Sequence, residues 1–440
     1  MEVNLKRLML LACAALVLDV NAVGVKCVSE KVSLSVVQEA KEYNSWPMIR
    51  AVGDRIVCTY GRGSGHTVEG ARGAYARTST DCGLTWSPEV CIVNDPGVCE
   101  GVEGIGRDST GAVLCWMNCR LRRKGHILHD LYRTRDGVAY EKIAAPDLSP
   151  EPIQITGIFS VPGVGLMSLW FSGNYRSAEP CNSWGTLVSK DDGRTWVQRT
   201  VESGLPKSEW PTEQSAVHLG GGRILVIGRA ESGAKRQFQL TSLDGGATWR
   251  KAGTNIRDVQ ESTPSLVYDS KNGLVANYYY HRGARKLKRR VVDAGFIFDR
   301  PNDWPPPEVL AEGSETRACD AGNVNVMEYR GRHLATFYSG TERDCAVYVV
   351  SIPVPSAAAT AAAALEIGGW KGETVSFRFD AASEAGGVSV SGKVCGNLVQ
   401  SSGGWQLPLY AIVGTAAVGA ALFLALWNAR ASGYGEEAGV

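Results

Sequence analysis

Three segments of the chain repeat one pattern, S-x-D-x-G-x-T-W, at every fixed position: Ser79 to Trp86, Ser189 to Trp196 and Ser242 to Trp249. The pattern describes a tight turn. Its Ser and Asp side chains are short enough to bond nearby backbone amides, its Gly supplies a positive φ, and its Trp packs back beneath the turn. Two worn copies, Thr134 to Tyr140 and Asp293 to Trp304, extend the series. The aromatic anchors then fall at 86, 140, 196, 249 and 304, at intervals of 54, 56, 53 and 55 residues. A constant period of this size, filled with short strands and frequent glycine, marks propeller blades of about four strands each. Residues 27–355 hold close to six periods, which predicts an all-β fold, a six-bladed β-propeller. A β-rich run preceded by turn residues recurs in each repeat, at Arg55 to Tyr60, Ala112 to Trp116, Gly165 to Phe171, Arg223 to Ile227, Leu274 to Tyr278 and His333 to Tyr338.

The two ends have a different composition. Lys6 and Arg7 precede an apolar run from Leu8 to Leu18 and then small residues, the layout of a secretory signal peptide over 1–22. After an Ala-rich linker and stalk at 356–406, the segment Leu407 to Trp427 is uncharged. At 1.5 Å per residue it is long enough to cross a hydrocarbon core about 30 Å thick. The expectation is a single transmembrane helix at 407–427, a cytoplasmic tail at 428–440, and a type I membrane protein of the secretory pathway exposed at the cell surface. A lipid-anchor signal is the alternative, since Ser401, Ser402 and Gly403 are small, but polar residues follow the hydrophobic segment.

The chain has 46 basic and 45 acidic residues, a formal net charge of +1, so nothing global points to nucleic acid. The one basic run, Arg285 to Arg290, reads as a strand edge with solvated charges, apart from Arg285 itself. Twelve cysteines include no C-x-x-C pair, so spacing supports no zinc site, and no other cofactor is implied. The oxidising route implied by the signal predicts disulfides, with Cys91, Cys99, Cys115 and Cys119 as the densest cluster.

The eight-residue pattern resembles the Asp-box (BNR repeat) of the sialidase, or neuraminidase, superfamily, and the resemblance covers roughly residues 40–353. It implies a site for sialic acid, whose anomeric carbon carries a carboxylate. Planar arginine forks suit that group, and its negative charge repels a carboxylate nucleophile, which is why sialidases use a tyrosine. In the family a glutamate activates that tyrosine, an aspartate is the general acid, and three arginines hold the carboxylate. The stretch Pro211 to Arg229 resembles the family segment that delivers the glutamate and the second arginine, here Glu213 and Arg229. Arg285 falls where the family has its third arginine, with Arg282 as competitor. Arg62 corresponds to the arginine facing the glycan at the end of the first blade's strand. The following loop, which supplies the acid in the family, holds His66 and Glu69 and no Asp.

Two further departures accompany the resemblance. The family's Arg-Ile-Pro reads Ser45-Trp46-Pro47, and Cys319 stands where the family has its nucleophilic tyrosine, with Tyr338 as the fallback. A site with two arginines and a glutamate but no tyrosine is similar to that of bacteriophage endosialidases, and exo and endo action both remain open. The function implied is a sialidase-type glycoside hydrolase acting on sialylated glycans, glycoproteins or glycolipids. Arg62, Arg229 and Arg285 bind, and Glu213, His66, Glu69 and Cys319 are the catalytic candidates. The alternatives are a catalytically inactive sialic-acid-binding propeller and an adhesion platform in which the repeated turns are structural only.

Overall fold

The structure, a computed structural model, describes residues 25–29, 32–66, 72–121, 125–231, 236–259, 262–313 and 320–355. The segments expected to be signal peptide, stalk, membrane helix and tail lie outside them. Among the described residues no helix is long and apolar enough to cross a membrane.

The described chain is all-β. Its strands pair into consecutive antiparallel meanders of four, beginning with the strands Tyr43–Val52, Val98–Arg107, Gln154–Val161, Pro211–Gly220, Ser265–Asp269 and Asp320–Tyr329. The sixth unit is completed from the other end of the chain: its outer strand is Ser33–Gln38, paired with Cys345–Pro353. Each of the six β-rich runs read from the sequence is the second strand of its unit.

Alternation makes this stacking favourable, because both faces of each unit carry apolar side chains that only a neighbouring unit can cover. Six buried clusters result, one between each pair of successive units. Leu114, Trp116 and Leu131 of the second unit, for example, meet Ile155 and Trp170 of the third. The cluster that joins Leu334, Tyr338 and Val347 of the sixth unit to Tyr43, Ile49 and Tyr60 of the first closes the cycle into a propeller-like ring. The buried indoles keep their N–H groups satisfied: Trp116 Nε1 donates to Ser168 Oγ at 3.1 Å and Trp210 Nε1 to the Ser183 carbonyl at 3.1 Å. Truncating such a residue costs about 3–5 kcal/mol.

The repeated motif joins the third and fourth strands of its unit, and its three copies fold alike. The Gly83, Gly193 and Gly246 amides donate to the Ser79, Ser189 and Ser242 hydroxyls at 2.9, 2.8 and 2.8 Å. The Thr85, Thr195 and Thr248 amides donate to Asp81, Asp191 and Asp244 at 2.9, 2.9 and 2.8 Å. Trp196 and Trp249 donate to the carbonyl of their own turn glycine, whereas Trp86 donates to Ser35 of the closing strand. The worn copy at Thr134 keeps the geometry, with Gly137 N on Thr134 Oγ1 at 2.8 Å. The copy at Asp293 does not. There Asp293 caps the N-terminus of a short helix, Ala294–Phe298, by accepting from the Phe296 amide, and Trp304 is buried after it.

Two expectations need correcting. The basic run does not form a solvated edge, because Lys286–Asp293 is the third strand of its unit, flanked on both sides. Lys288, Arg289 and Arg290 are buried. Asp258 takes Lys288 at 2.6 Å and Arg290 at 2.5 Å, and Glu308 takes Arg289 at 2.6 Å. The cysteine cluster contains no described disulfide. Cys91, Cys115 and Cys119 are free thiols, and Cys99 Sγ accepts from Arg72 at 3.5 Å.

Candidate active site

The six first strands are neighbours around the ring, and irregularities recur along them. Register shifts fall between Ser45 and Met48, Val102 and Gly104, Ile155 and Ile158, Thr212 and Ser215, and Gly322 and Asn325. Three of these bulges hold a residue with positive φ that is not glycine: Trp46 at 51°, Glu213 at 44° and Asn323 at 49°. A bulge leaves one residue out of the ladder and re-aims its side chain.

Glu213 is 9 % exposed and both of its oxygens are engaged. Oε1 receives Arg229 Nη1 at 2.5 Å, and Oε2 receives the hydroxyl of Thr263. Arg229 sits opposite Thr212 on the adjacent strand, and its Nε lies 3.1 Å from Glu231. Burial pushes the Glu213 carboxyl up, but the Arg229 charge, the Thr263 hydroxyl and the nearby charge of Arg282 outweigh it and hold the group below its ordinary value. Burial opposes the Arg229 charge in turn, and Glu213 and Glu231 overcome that and keep the guanidinium protonated. Thr263 Oγ1 is also 3.2 Å from Asn323 Oδ1, so the fourth, fifth and sixth units meet at this point.

Arg282 and Arg285 share the hairpin turn after His281. Arg282 Nε donates to the Ala321 carbonyl at 2.8 Å. The neighbouring Gly322 has φ 128°, a backbone conformation that suits glycine, and the Arg282 guanidinium packs beside it. Arg285 has φ 54°, and its carbonyl accepts from the Gly313 amide at 2.7 Å. The charge of Arg282 reaches Glu213.

The residues contributed by the first unit form separate groups. Arg62 is ion-paired with Glu89 and, at 3.0 Å, with Glu42, and its guanidinium lies 4.1 Å from the Tyr75 ring centre. It lines a cavity of about 560 Å³ with Lys41, Glu42, Tyr75, Asn94 and Arg343, to which neither Glu213 nor Arg229 contributes. His66 is exposed, with Nδ1 2.5 Å from the Tyr43 hydroxyl and its ring 5.7 Å from that of Trp46. Arg72 anchors the backbone at His66: it lies 4.1 Å over the Trp46 ring and donates to the Gly65 and His66 carbonyls at 2.6 and 3.2 Å. Tyr338 is fully buried, 6.1 Å from Tyr43. Glu69 and Cys319 lie outside the described residues. Arg72, Thr263 and Asn323 belong to no motif of the repeat. Only their spatial neighbours single them out.

No family model matches the sequence, and no curated protein matches it. Solved structures do. A protein of unknown function from Dyadobacter fermentans matches at TM-score 0.60 and 18% identity, over 75% of this chain and 99% of that one. NanB sialidase from Streptococcus pneumoniae matches at TM-score 0.56 and 12% identity, over 72% and 70%. Trypanosoma rangeli sialidase matches at TM-score 0.52 and 11% identity, over 74% of this chain and 60% of its own length. At these identities the likeness is one of fold: the chain has a sialidase-like fold.

Proposed function

We propose that the chain is a six-bladed propeller of the sialidase type that hydrolyses sialosides. The observation that carries this reading is the buried Glu213–Arg229 pair, built on a strained bulge with the charge of Arg282 beside it. A guanidinium has five N–H donors in a planar fork, and Glu213 and Glu231 engage only part of it, which leaves Arg229 able to grip a ligand carboxylate. Arg282 supplies the second positive charge, with Arg285 in the same turn. Two of the structural neighbours, from Streptococcus pneumoniae and Trypanosoma rangeli, are sialidases, which supports the reading by analogy of fold.

The test is hydrolysis of a fluorogenic sialoside by the purified protein, with Arg229→Ala as control. Turnover that falls at least about 100-fold in the variant supports the reading. Glycan binding that depends on Arg229 without turnover would make the protein a sialic-acid-binding propeller, and absence of both would leave only the adhesion platform. We also propose secretion and anchoring through residues 1–22 and 407–427. A chain truncated before Leu407 is then released in soluble form, and its retention in carbonate-washed membranes overturns the anchor.

A further inference from the structure

We propose that Thr263 is the nucleophile of this site and that Glu213 takes its proton; the proposal rests on the sialoside-hydrolase reading above. Glu213 is buried and each of its oxygens already accepts a hydrogen bond, Oε1 from Arg229 and Oε2 from Thr263. Thr263, in contrast, is only half-buried. The threonine hydroxyl is thus the more accessible end of the Glu213–Thr263 pair.

The hydroxyl is also held in one orientation. Its single hydrogen lies between two acceptors, Glu213 Oε2 and, at 3.2 Å, Asn323 Oδ1. The lone pairs of Oγ1 are left to attack. The backbone on both sides is fixed: Ser262 accepts the Tyr280 amide at 2.8 Å, and Ser265 accepts the Val326 amide of the sixth unit at 3.0 Å. A neutral hydroxyl also meets the electrostatic demand of the substrate, whose carboxylate repels an anionic nucleophile. As that carboxylate settles on Arg229 it competes with Glu213 for the guanidinium and adds a like charge nearby. Both effects raise the basicity of Glu213 at the moment a base is required.

In the first step the Thr263 Oγ1 bond to the anomeric carbon forms as the glycosidic bond breaks. The hydroxyl proton passes to Glu213, and the leaving oxygen takes a proton from solvent water. In the second, water replaces Thr263 on the anomeric carbon. Glu213 returns its proton to Oγ1, and the proton that the attacking water loses passes to solvent.

The experiment uses 2,3-difluorosialic acid, the compound seen as a covalent intermediate in Trypanosoma rangeli sialidase, followed by peptide mapping by mass spectrometry. The expected result is a stable adduct on Thr263. Thr263→Ser is expected to keep both labelling and turnover, and Thr263→Val to lose labelling and about 1,000-fold in kcat while still binding sialic acid. An adduct on Cys319 or Tyr338, or turnover undiminished in Thr263→Val, overturns the nucleophile and leaves the hydrolase reading standing. A wild-type protein that neither turns over nor binds sialosides overturns both.

Discussion

The outer turns and the inner bulges solve the same conformational problem by opposite means. Each turn needs two successive residues with positive φ, and each places glycine second: Gly83 at 84°, Gly193 at 86° and Gly246 at 92°. The glycine avoids the cost of the left-handed region at its own position, although Cys82 at 63° and Asp192 at 57° precede it in two copies, and most of the hydrogen bonds that hold the turn come from the same eight residues. The bulges hold Trp46, Glu213 and Asn323 in the left-handed region without glycine, and side chains distant in the chain, from the same unit and from the next, keep them there. Arg229 and Thr263 grip Glu213, and Arg72 covers Trp46. Strain of this kind persists only where the surroundings over-determine it, and it concentrates at functional sites. A turn is therefore local and replaceable, whereas a bulge depends on side chains far from it in the chain.

The sharpest way to break this contrast is to remove one partner of a bulge residue. Arg229→Met leaves a 9 % exposed carboxylate without its main counter-charge, and the expected loss is about 3–5 kcal/mol by denaturant unfolding. Adding Glu213→Gln should recover most of it, because the buried charge disappears with the second change. If Arg229→Met alone costs no more than a surface pair, under about 1 kcal/mol, the bulge is not held from outside.

The same contrast explains what could be read from the sequence. The turns are legible because every interaction they need is within eight residues, so the period, the unit count and all six second strands follow from pattern alone. Glu213 and Arg229 are legible because adjacent strands of one unit carry them. Thr263 and Asn323 lie 50 and 110 residues from Glu213 in the chain, and no local rule joins them to it. The basic run misleads for the same reason. Lys288 and Arg290 read as solvated until a carboxylate about 30 residues upstream, Asp258, is folded against them.

A smaller effect is expected from exchanging glycine use between the two regions. Gly193→Ala forces a Cβ into φ 86° and within 2.9 Å of Leu131 Cδ2, a flexible side-chain end. The expected cost is about 1–2 kcal/mol. Asn323→Gly relieves the left-handed strain and leaves stability within about 0.5 kcal/mol of the wild type, while sialoside turnover falls because the amide beside Thr263 is gone. Equal destabilisation by both variants, measured as a change in thermal midpoint, would erase the distinction between the regions.

The smallest effect concerns protons on the turns. In Asp191 the Thr195 hydroxyl is the largest influence and outweighs burial, so the carboxyl falls to about 2, and Asp244 falls to about 2 chiefly through the Thr248 hydroxyl. Asp136 of the worn copy has alanine in place of that threonine and is lowered by the Ala139 and Val138 amides instead. A carboxyl depressed in the folded state contributes stability that is fully present above its unfolded value, about 3.9. That contribution is lost as pH falls through the folded value, so the turns weaken between about pH 4 and pH 2. Carboxyl carbon NMR titration should therefore place Asp191 and Asp244 together near 2. Thr195→Val should move Asp191 upward and leave Asp244 in place, because each turn holds its aspartate by itself. A matching shift at Asp244 would mean that the turns communicate, and their independence from the ring would have to be given up.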